Sequence, residues 1–246
     1  MNAILYAAGV ARRLGTSANK PHKILIEFNG VSLLERHVRN LAALGVPRLF
    51  VVTGHERAAL AEEFPALQRR HGVEIRELHN PHFLKGSVLS METSLPALRD
   101  VADRVLLMDG DVLYDPVILR RVVESPHRTC LLVDRDYSTD DDDPVLVPMR
   151  DGKPFDFVKR WQGDAETIGE SIGFFKVDAS DLPELIRETE SRSARNHEDS
   201  YDDVLRVLVQ AGSFGAEDVT GLAWTEIDFP KDIEYARNVI LPRLGE

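Results

Sequence analysis

The sequence predicts an α/β protein built on a doubly wound, mostly parallel sheet. Strand-length apolar runs alternate with helix-length periodic segments over the first ~110 residues. The runs are continuously apolar, as expected of strands covered on both faces. Two of them end in residues suited to a ligand edge: Ala7-Ala8-Gly9 after the first, Asp109-Gly110-Asp111 after a later one.

In chain order, residues 3–8 (AILYAA) form a buried strand entering a small-residue turn at Gly9. A second strand is expected over Ile24–Phe28, closed by the Asn29-Gly30 turn. Ser32 caps a helix in which Leu33, Leu34, His37, Val38, Leu41 and Leu44 recur at helical spacing, and Gly45 stops it. Leu49–Thr53 reads as a strand, 56–64 as a helix interrupted by Pro65, and Val73–Leu78 as a strand. Ser87–Leu98 follows as a helix and Arg104–Met108 as a strand. The second half is less regular. Strands are expected at Thr129–Asp134, Val145–Met149 and Phe155–Lys159, the last two joined by a hairpin turn at Asp151-Gly152. Ile172–Val177 is a further strand. Helices at about 181–190 and 200–211, a strand at 223–228 and a helix at 230–240 close the chain. Asp140-Asp141-Asp142-Asp143 reads as a solvated loop tip, because consecutive carboxylates do not all converge on one ion.

A length of 246 residues, with no repeat and no linker, fits one compact unit with an appended lobe. Thirty Lys+Arg against 41 Asp+Glu give a net charge of −11, which disfavours nucleic acid as a partner. A small phosphorylated ligand needs only a local cluster of positive groups and stays open. Cys130 is the only cysteine, so no intrachain disulfide forms; within Thr129–Val133 it reads as core filler. No basic region precedes Ala3-Ile4-Leu5-Tyr6 and no apolar run approaches the ~20 residues of a membrane span. The expectation is a cytoplasmic protein with no membrane partner; the oligomeric state is unreadable.

The turn from Ala7 to Leu14 places backbone N–H groups and Arg13 beyond a strand end, where α/β sheets bind anions. Its single glycine before the arginine does not make a dinucleotide fingerprint, and an ordinary βα turn with surface arginines reads the same. Lys23, ten residues beyond Arg13, either reaches back to a phosphate or flanks the next strand at the surface. Asp109 and Asp111 emerge at the sheet edge, where hard carboxylate oxygens suit Mg2+ held together with phosphates; a turn or cap role is the alternative for Asp111. Asp228 ends Trp224-Thr225-Glu226-Ile227-Asp228 and is either a second metal carboxylate or the cap of the helix that Pro230 begins.

Taken in order, AILYAAGVARRL, PHK, ILIEFNGVSLLERHVRNLAALGV, VVTGH, MDGDVLYDP, GESIGFFKVD and WTEIDFPKDIEYAR resemble the sugar-nucleotidyltransferase superfamily over nearly the whole chain. Within it the chain is most similar to the small cytidylyltransferases of the phosphocholine cytidylyltransferase type, a group close to enzymes using inositol phosphate or 2-aminoethylphosphonate. The resemblance implies a Rossmann-like, GT-A-like nucleotidyltransferase fold with a small β-rich acceptor-binding lobe. It divides the unit into a nucleotide-binding half (1–125) and an acceptor-binding half (126–246). It makes Ala7, Ala8 and Gly9 the nucleotide-binding turn, puts Arg13 on the β- and γ-phosphates, and makes Lys23 the catalytic lysine on the α-phosphate. Ser87 and Asp109 join the nucleotide site, Asp111 and Asp228 form the Mg2+-binding pair, and Lys159, Glu170, Tyr201 and Asp202 face the acceptor. For Tyr201-Asp202-Asp203 the alternative is an acidic first helical turn.

Three positions depart from the family pattern. Ala11 stands where a second glycine is usual, Gly15-Thr16 where a proline is usual, and Lys85-Gly86-Ser87 where several relatives carry paired asparagines.

The implied reaction is transfer of a nucleotidyl group, CMP from CTP, to a small phosphorylated alcohol or phosphonate with release of pyrophosphate. The attacking oxygen is already anionic, so His22 is not needed as a base. A hexose 1-phosphate or inositol phosphate acceptor, a glycosyltransferase using Asp109-Gly110-Asp111 as a DxD motif, and a non-catalytic NTP-binding module are the alternatives.

Overall fold

The apolar runs form the middle of one large sheet. In the computed structural model, which describes residues 1–18, 20–137 and 144–245, β1 (Asn2–Ala7) opens the chain. It sends Ala3, Leu5 and Ala7 into one hydrophobic layer and Ile4 into the other, the period-2 alternation of a doubly covered strand. A 3-10 stretch (Arg12–Ala18, kinked at Gly15) and a 3-10 turn (Lys23–Leu25) lead to a short hairpin, β2 (Glu27–Phe28) and β3 (Val31–Ser32). Then follow α1 (Leu33–Ala43), β4 (Arg48–Thr53), α2 (Arg57–His71), β5 (Glu74–His79), α3 (Val88–Arg99), β6 (Arg104–Asp109), β7 (Val112–Tyr114) and α4 (Pro116–Glu124). The second half adds β8 (Thr129–Asp134), β9 (Leu146–Arg150), β10 (Lys153–Pro154), β11 (Thr167–Asp178), α5 (Leu182–Arg195), α6 (Tyr201–Gln210), β12 (Phe214–Asp218) and β13 (Trp224–Glu226). The last helix, α7 (Pro230–Tyr235), continues through a π turn into Leu241–Arg243.

β5, β4, β1 and β6 lie side by side and parallel. β11 runs antiparallel between β6 and β8, and β12 pairs parallel with β8. The first residues of β11 pair instead with β9, whose hairpin partner is β10; this is the small β-rich lobe. The α/β, doubly wound, mostly parallel sheet expected from the sequence is the observed fold. α1, α2, α4 and the C-terminal helix cover one face, and α3, α5 and α6 the other. Because β1 has β4 on one side and β6 on the other, the strand order reverses at β1, and ligands of such sheets bind outside the carboxyl ends at that reversal.

Several elements differ from the sequence expectation. Residues 24–28 are not one strand: His22 Nδ1 accepts a hydrogen bond from the Ile24 N–H (3.2 Å), which winds Lys23–Leu25 into a 3-10 turn and leaves a two-residue β2. Pro65 does not stop α2, because buried Leu60, Phe64 and Leu67 hold it to the core on both sides; the helix ends at Gly72, at φ 72°. β7, α4 and β12 are additional, although Asp115 before Pro116 is a cap signal: its carboxylate accepts from the Val117 N–H at 2.9 Å. The return strand after Asp151-Gly152 is short, and Val158 meets Leu146 only as an isolated bridge. The two turn pairs behave as expected, with φ of 52° and 75° at Asn29-Gly30 and 51° and 71° at Asp151-Gly152. Asp140–Asp143 lie outside the described residues.

Candidate active site

The site is built at the carboxyl ends of β1 and β6, where Tyr6 pairs in register with Asp109. The Gly110 N–H donates to the Tyr6 carbonyl (3.1 Å), and a side chain on Gly110 would press within 2.9 Å of that oxygen. Glycine is therefore what lets Asp109 and Asp111 leave the strand so close to the first turn. His37, buried on α1, contacts the Gly110 carbonyl through Nε2 (3.0 Å) and steadies the same turn.

Asp111, Asp228, Lys23 and Arg13 come from four separate segments and meet. Lys23 Nζ lies 2.5 Å from Asp111 Oδ2 and 2.6 Å from Asp228 Oδ1. Arg13 Nη2 donates to the other Asp228 oxygen at 2.6 Å, its guanidinium 4.7 Å from the centre of the Phe229 ring. Burial alone would raise the Asp111 carboxyl, but the charge and hydrogen bond of Lys23 outweigh it and hold Asp111 below the ordinary carboxylate range. For Lys23, burial pulls the ammonium down and the two aspartates push it higher than burial lowers it, so it stays charged. Asp228 follows β13, and Asp232 accepts from the backbone N–H of both Asp228 and Phe229 (2.9 and 2.7 Å), fixing the entry into α7.

Asp109 takes a different part. Tyr201 donates its hydroxyl across both carboxylate oxygens, at 2.6 and 2.5 Å. Burial, then the charge of Asp111, raises the Asp109 carboxyl well above its usual value despite that hydrogen bond. The two carboxyls of Asp109-Gly110-Asp111 are thus driven apart, one towards the neutral acid and one firmly ionised.

The predicted nucleotide turn lies beside a cleft of about 200 Å³ lined by Tyr6, Ala8, Gly9, Phe83, Ser87 and Tyr201, among others. Ala7 and Ala8 are buried and Gly9 is exposed. Ala11, at the family's glycine position, adopts φ 52°, in the left-handed region that favours glycine. Ser87 stands at the start of α3, where its Oγ meets Ser200 Oγ (3.1 Å) and accepts from the Tyr201 N–H (3.0 Å).

The four residues expected at the acceptor are not gathered in one place. Tyr201 stacks on Tyr6, centroids 5.4 Å apart, and so lines the nucleotide-turn cleft. Lys159 and Asp202 line a second cleft of about 480 Å³, with Arg160 and Arg206. Glu170, 5% exposed, lines a third of about 270 Å³ with Asp134, Tyr137, Trp224 and Glu226. The acidic first turn of α6 also caps its own helix, through a reciprocal capping box between Ser200 and Asp203.

Sequence reasoning misses Glu226. Burial and then the charges of Asp111, Asp109, Asp228 and Glu170 raise its carboxyl well above the usual value, which puts it at the same focus. A signal for it exists: in Trp224-Thr225-Glu226-Ile227-Asp228, residues 226 and 228 share one face of an extended chain. His22, beside Lys23, is buried and pushed down to about 4 by burial, then by His55 and Lys23, while its Nδ1 is engaged by Ile24. Among the described residues, no cluster of three or more His, Cys, Asp or Glu side chains could hold a metal ion, and no helix is long and apolar enough to cross a membrane.

Residues 3–173 match the MobA-like NTP transferase domain. The chain belongs to that family. Relatives of this NTP transferase domain include the bifunctional IPC transferase and DIPP synthase of Thermococcus kodakarensis, 29% identical over 97% of this chain and 50% of that protein. The CMP-5'-(3-aminopropyl)phosphonate synthase of Streptomyces rubellomurinus is 27% identical over 96% of this chain and 38% of that protein. The chain therefore spans about half, or less, of these relatives' length. Among solved structures, the inositol-1-phosphate CTP transferase of T. maritima has the same fold: TM-score 0.79 and 23% identity over 100% of this chain and 96% of that one.

Proposed function

We propose that this NTP transferase domain is a cytidylyltransferase that joins CMP, from CTP, to a small phosphorylated or phosphonate acceptor and releases pyrophosphate. One observation carries the reading: two carboxylates, a lysine and an arginine converge at the point where the sheet order reverses. Two cations beside a cleft of nucleoside size suit the phosphates of a nucleoside triphosphate. The names of the relatives, which describe CMP and CTP chemistry on phosphates and phosphonates, support cytidine.

An acceptor oxyanion attacks the α-phosphorus in line, the bond from that phosphorus to the bridging oxygen breaks, and pyrophosphate departs. A phosphate or phosphonate oxygen is anionic at neutral pH, so the chain need not supply a base. What it supplies is positioning and charge neutralisation. Lys23 moves from the aspartates to the α-phosphate, and Arg13 clamps the outer phosphates with two donors. Tyr6 and Tyr201 wall the nucleoside, and the Tyr201 hydroxyl, donating to Asp109, ties that wall to the strand end that carries Asp111.

Asp111 and Asp228 converge on one cation, Lys23, with an oxygen of each within 2.5 and 2.6 Å of its nitrogen, and a pair that shares one cation in this way fits a magnesium ion. Two hard carboxylates suit Mg2+, which completes its shell with water and substrate phosphates and needs no all-protein cage. Asp111 and Asp228 would hold it. Bound there, the metal supplies positive charge to the phosphate oxygens.

Two acceptor classes are in view. Inositol 1-phosphate is favoured by the T. maritima neighbour's substrate, and amino-bearing phosphonates by the Streptomyces relative. The acid- and aromatic-lined cleft at Glu170 is compatible with hydroxyl donors and with an ammonium. The test is a pyrophosphate-release screen of the four NTPs against inositol 1-phosphate, 2-aminoethylphosphonate, phosphocholine and glucose 1-phosphate. The reading predicts release with CTP and one acceptor of the first three. Release only with another NTP, or with none, would overturn it.

A further inference from the structure

The carboxylates suited to a divalent cation are already engaged by the protein's own cations. Lys23 Nζ holds one oxygen of Asp111 and one of Asp228, and Arg13 holds the remaining oxygen of Asp228. The two carboxylates are thus matched by two cations. Lys23 is only 11% exposed at its side chain, so its charge is poorly screened by water and cannot be ignored by an incoming ion. A metal bound to these oxygens at the ~2.0–2.1 Å usual for Mg2+ takes the space that the ammonium now fills.

We propose that Lys23 is the resident counter-ion of the metal site, so that the free domain binds divalent cations weakly and the site opens when nucleotide phosphates draw Lys23 away. The inference rests on the nucleotidyltransferase reading of the same site. Adding a divalent cation to a site with balanced carboxylates and cations leaves excess positive charge until a polyanion arrives. A triphosphate brings that charge and offers Lys23 and Arg13 a second set of partners. Metal and nucleotide then favour each other's binding by one shared factor, as linkage requires, on the order of 5–150-fold. Lys23 accordingly has two posts, on the aspartates in the free domain and on the phosphate in the loaded one, and its departure from the first creates the metal site. The arrangement also keeps the aspartates from presenting unpaired negative charge to each other before substrate arrives.

The test measures Mn2+ binding to the whole domain without nucleotide, by electron paramagnetic resonance, in wild type and Lys23→Met. A lysine that only supports the metal site predicts weaker binding in the variant. The counter-ion role predicts the opposite: Mn2+ binds Lys23→Met roughly tenfold or more tightly than wild type, and the coupling between CTP and Mn2+ shrinks correspondingly. Equal or weaker binding overturns the inference, as does a gain that persists when Asp111→Asn is added. A second measurement uses wild type and does not depend on the variant folding: mass-spectrometric mapping of amine labelling at Lys23. Labelling should be slow in the free domain and accelerate at saturating Mn2+, and unchanged or slower labelling overturns the inference. A silent pyrophosphate screen with tighter Mn2+ binding by Lys23→Met defeats the functional reading and supports this one, and an active screen with unchanged Mn2+ binding does the reverse.

Discussion

Lys23 and Asp111 serve one ion cluster from opposite signs, so their removal should be read together. Replacing either by alanine removes a pre-placed charge, and turnover should fall on the order of 10²–10³-fold, by analogy with the loss of an oxyanion-hole donor. Steady-state kinetics with circular dichroism checks this: near-wild-type turnover in a folded variant contradicts the role assigned to that residue. The two buried histidines set a different limit. Burial pushes both His22 and His37 down to about 4, against about 6.5 for an unfolded histidine. Between those values the unfolded chain binds protons at these two positions that the folded chain does not, so their contribution to stability falls as pH drops from about 6.5 to about 4, while the raised carboxyls of Asp109 and Glu226 contribute in the opposite direction. His37→Gln, which keeps a donor for the Gly110 carbonyl but does not titrate, should therefore hold its urea midpoint better than wild type as pH falls across that window. An unchanged slope would mean His37 is charged when folded. At this scale the basic and acidic residues of the site are legible in the sequence because each lies at a strand end or in a turn. Glu226 is legible only through its alternation with Asp228 on one face of an extended chain; that Asp109, Asp111 and Glu170 surround it depends on strands far away in sequence.

Gly173 shows how an element, not a residue type, sets the geometry. It stands at φ 74° inside β11, where the register with β8 slips between Ser171 and Phe175. A Cβ there would lie 2.2 Å from Asp109 Oδ2, so the bulge makes room for the carboxyl that Tyr201 caps. Gly173→Ala combines a left-handed backbone with a steric clash, and should destabilise by roughly 1–3 kcal/mol. Thermal denaturation measures it; a variant as stable as wild type would show that Asp109 moves aside freely. Elements with continuous apolar runs, such as residues 3–8 and 104–108, are readable because burial on both faces leaves no other composition. Elements decided by a single local contact are not. The His22–Ile24 hydrogen bond turns a predicted strand into a 3-10 turn, and the tertiary burial of Phe64 and Leu67 carries α2 through Pro65. The β12 pairing with β8 depends on a partner 85 residues away in register, Thr129 for Phe214, which no local pattern displays.

The molecule as a whole assembles one site from segments far apart in the chain. Lys23 and Asp228 are 205 residues apart, and β11, from the second half, lies between β6 and β8 in the common sheet. The order of motifs announces the family because this interleaving fixes which strand ends can meet. The division of the acceptor residues among clefts is not readable, because it depends on where α6, β11 and the segment carrying Lys159 come to lie in the folded chain. These groups, as proposed, direct attack at the α-phosphorus of a nucleoside triphosphate. Phosphorus-31 NMR of the domain with CTP, Mg2+ and an acceptor from the active pair tests it most directly. Pyrophosphate should appear together with a new phosphoanhydride linking CMP to the acceptor, in equal amounts. Release of CDP and orthophosphate, or an unaltered CTP spectrum with every acceptor, would contradict it.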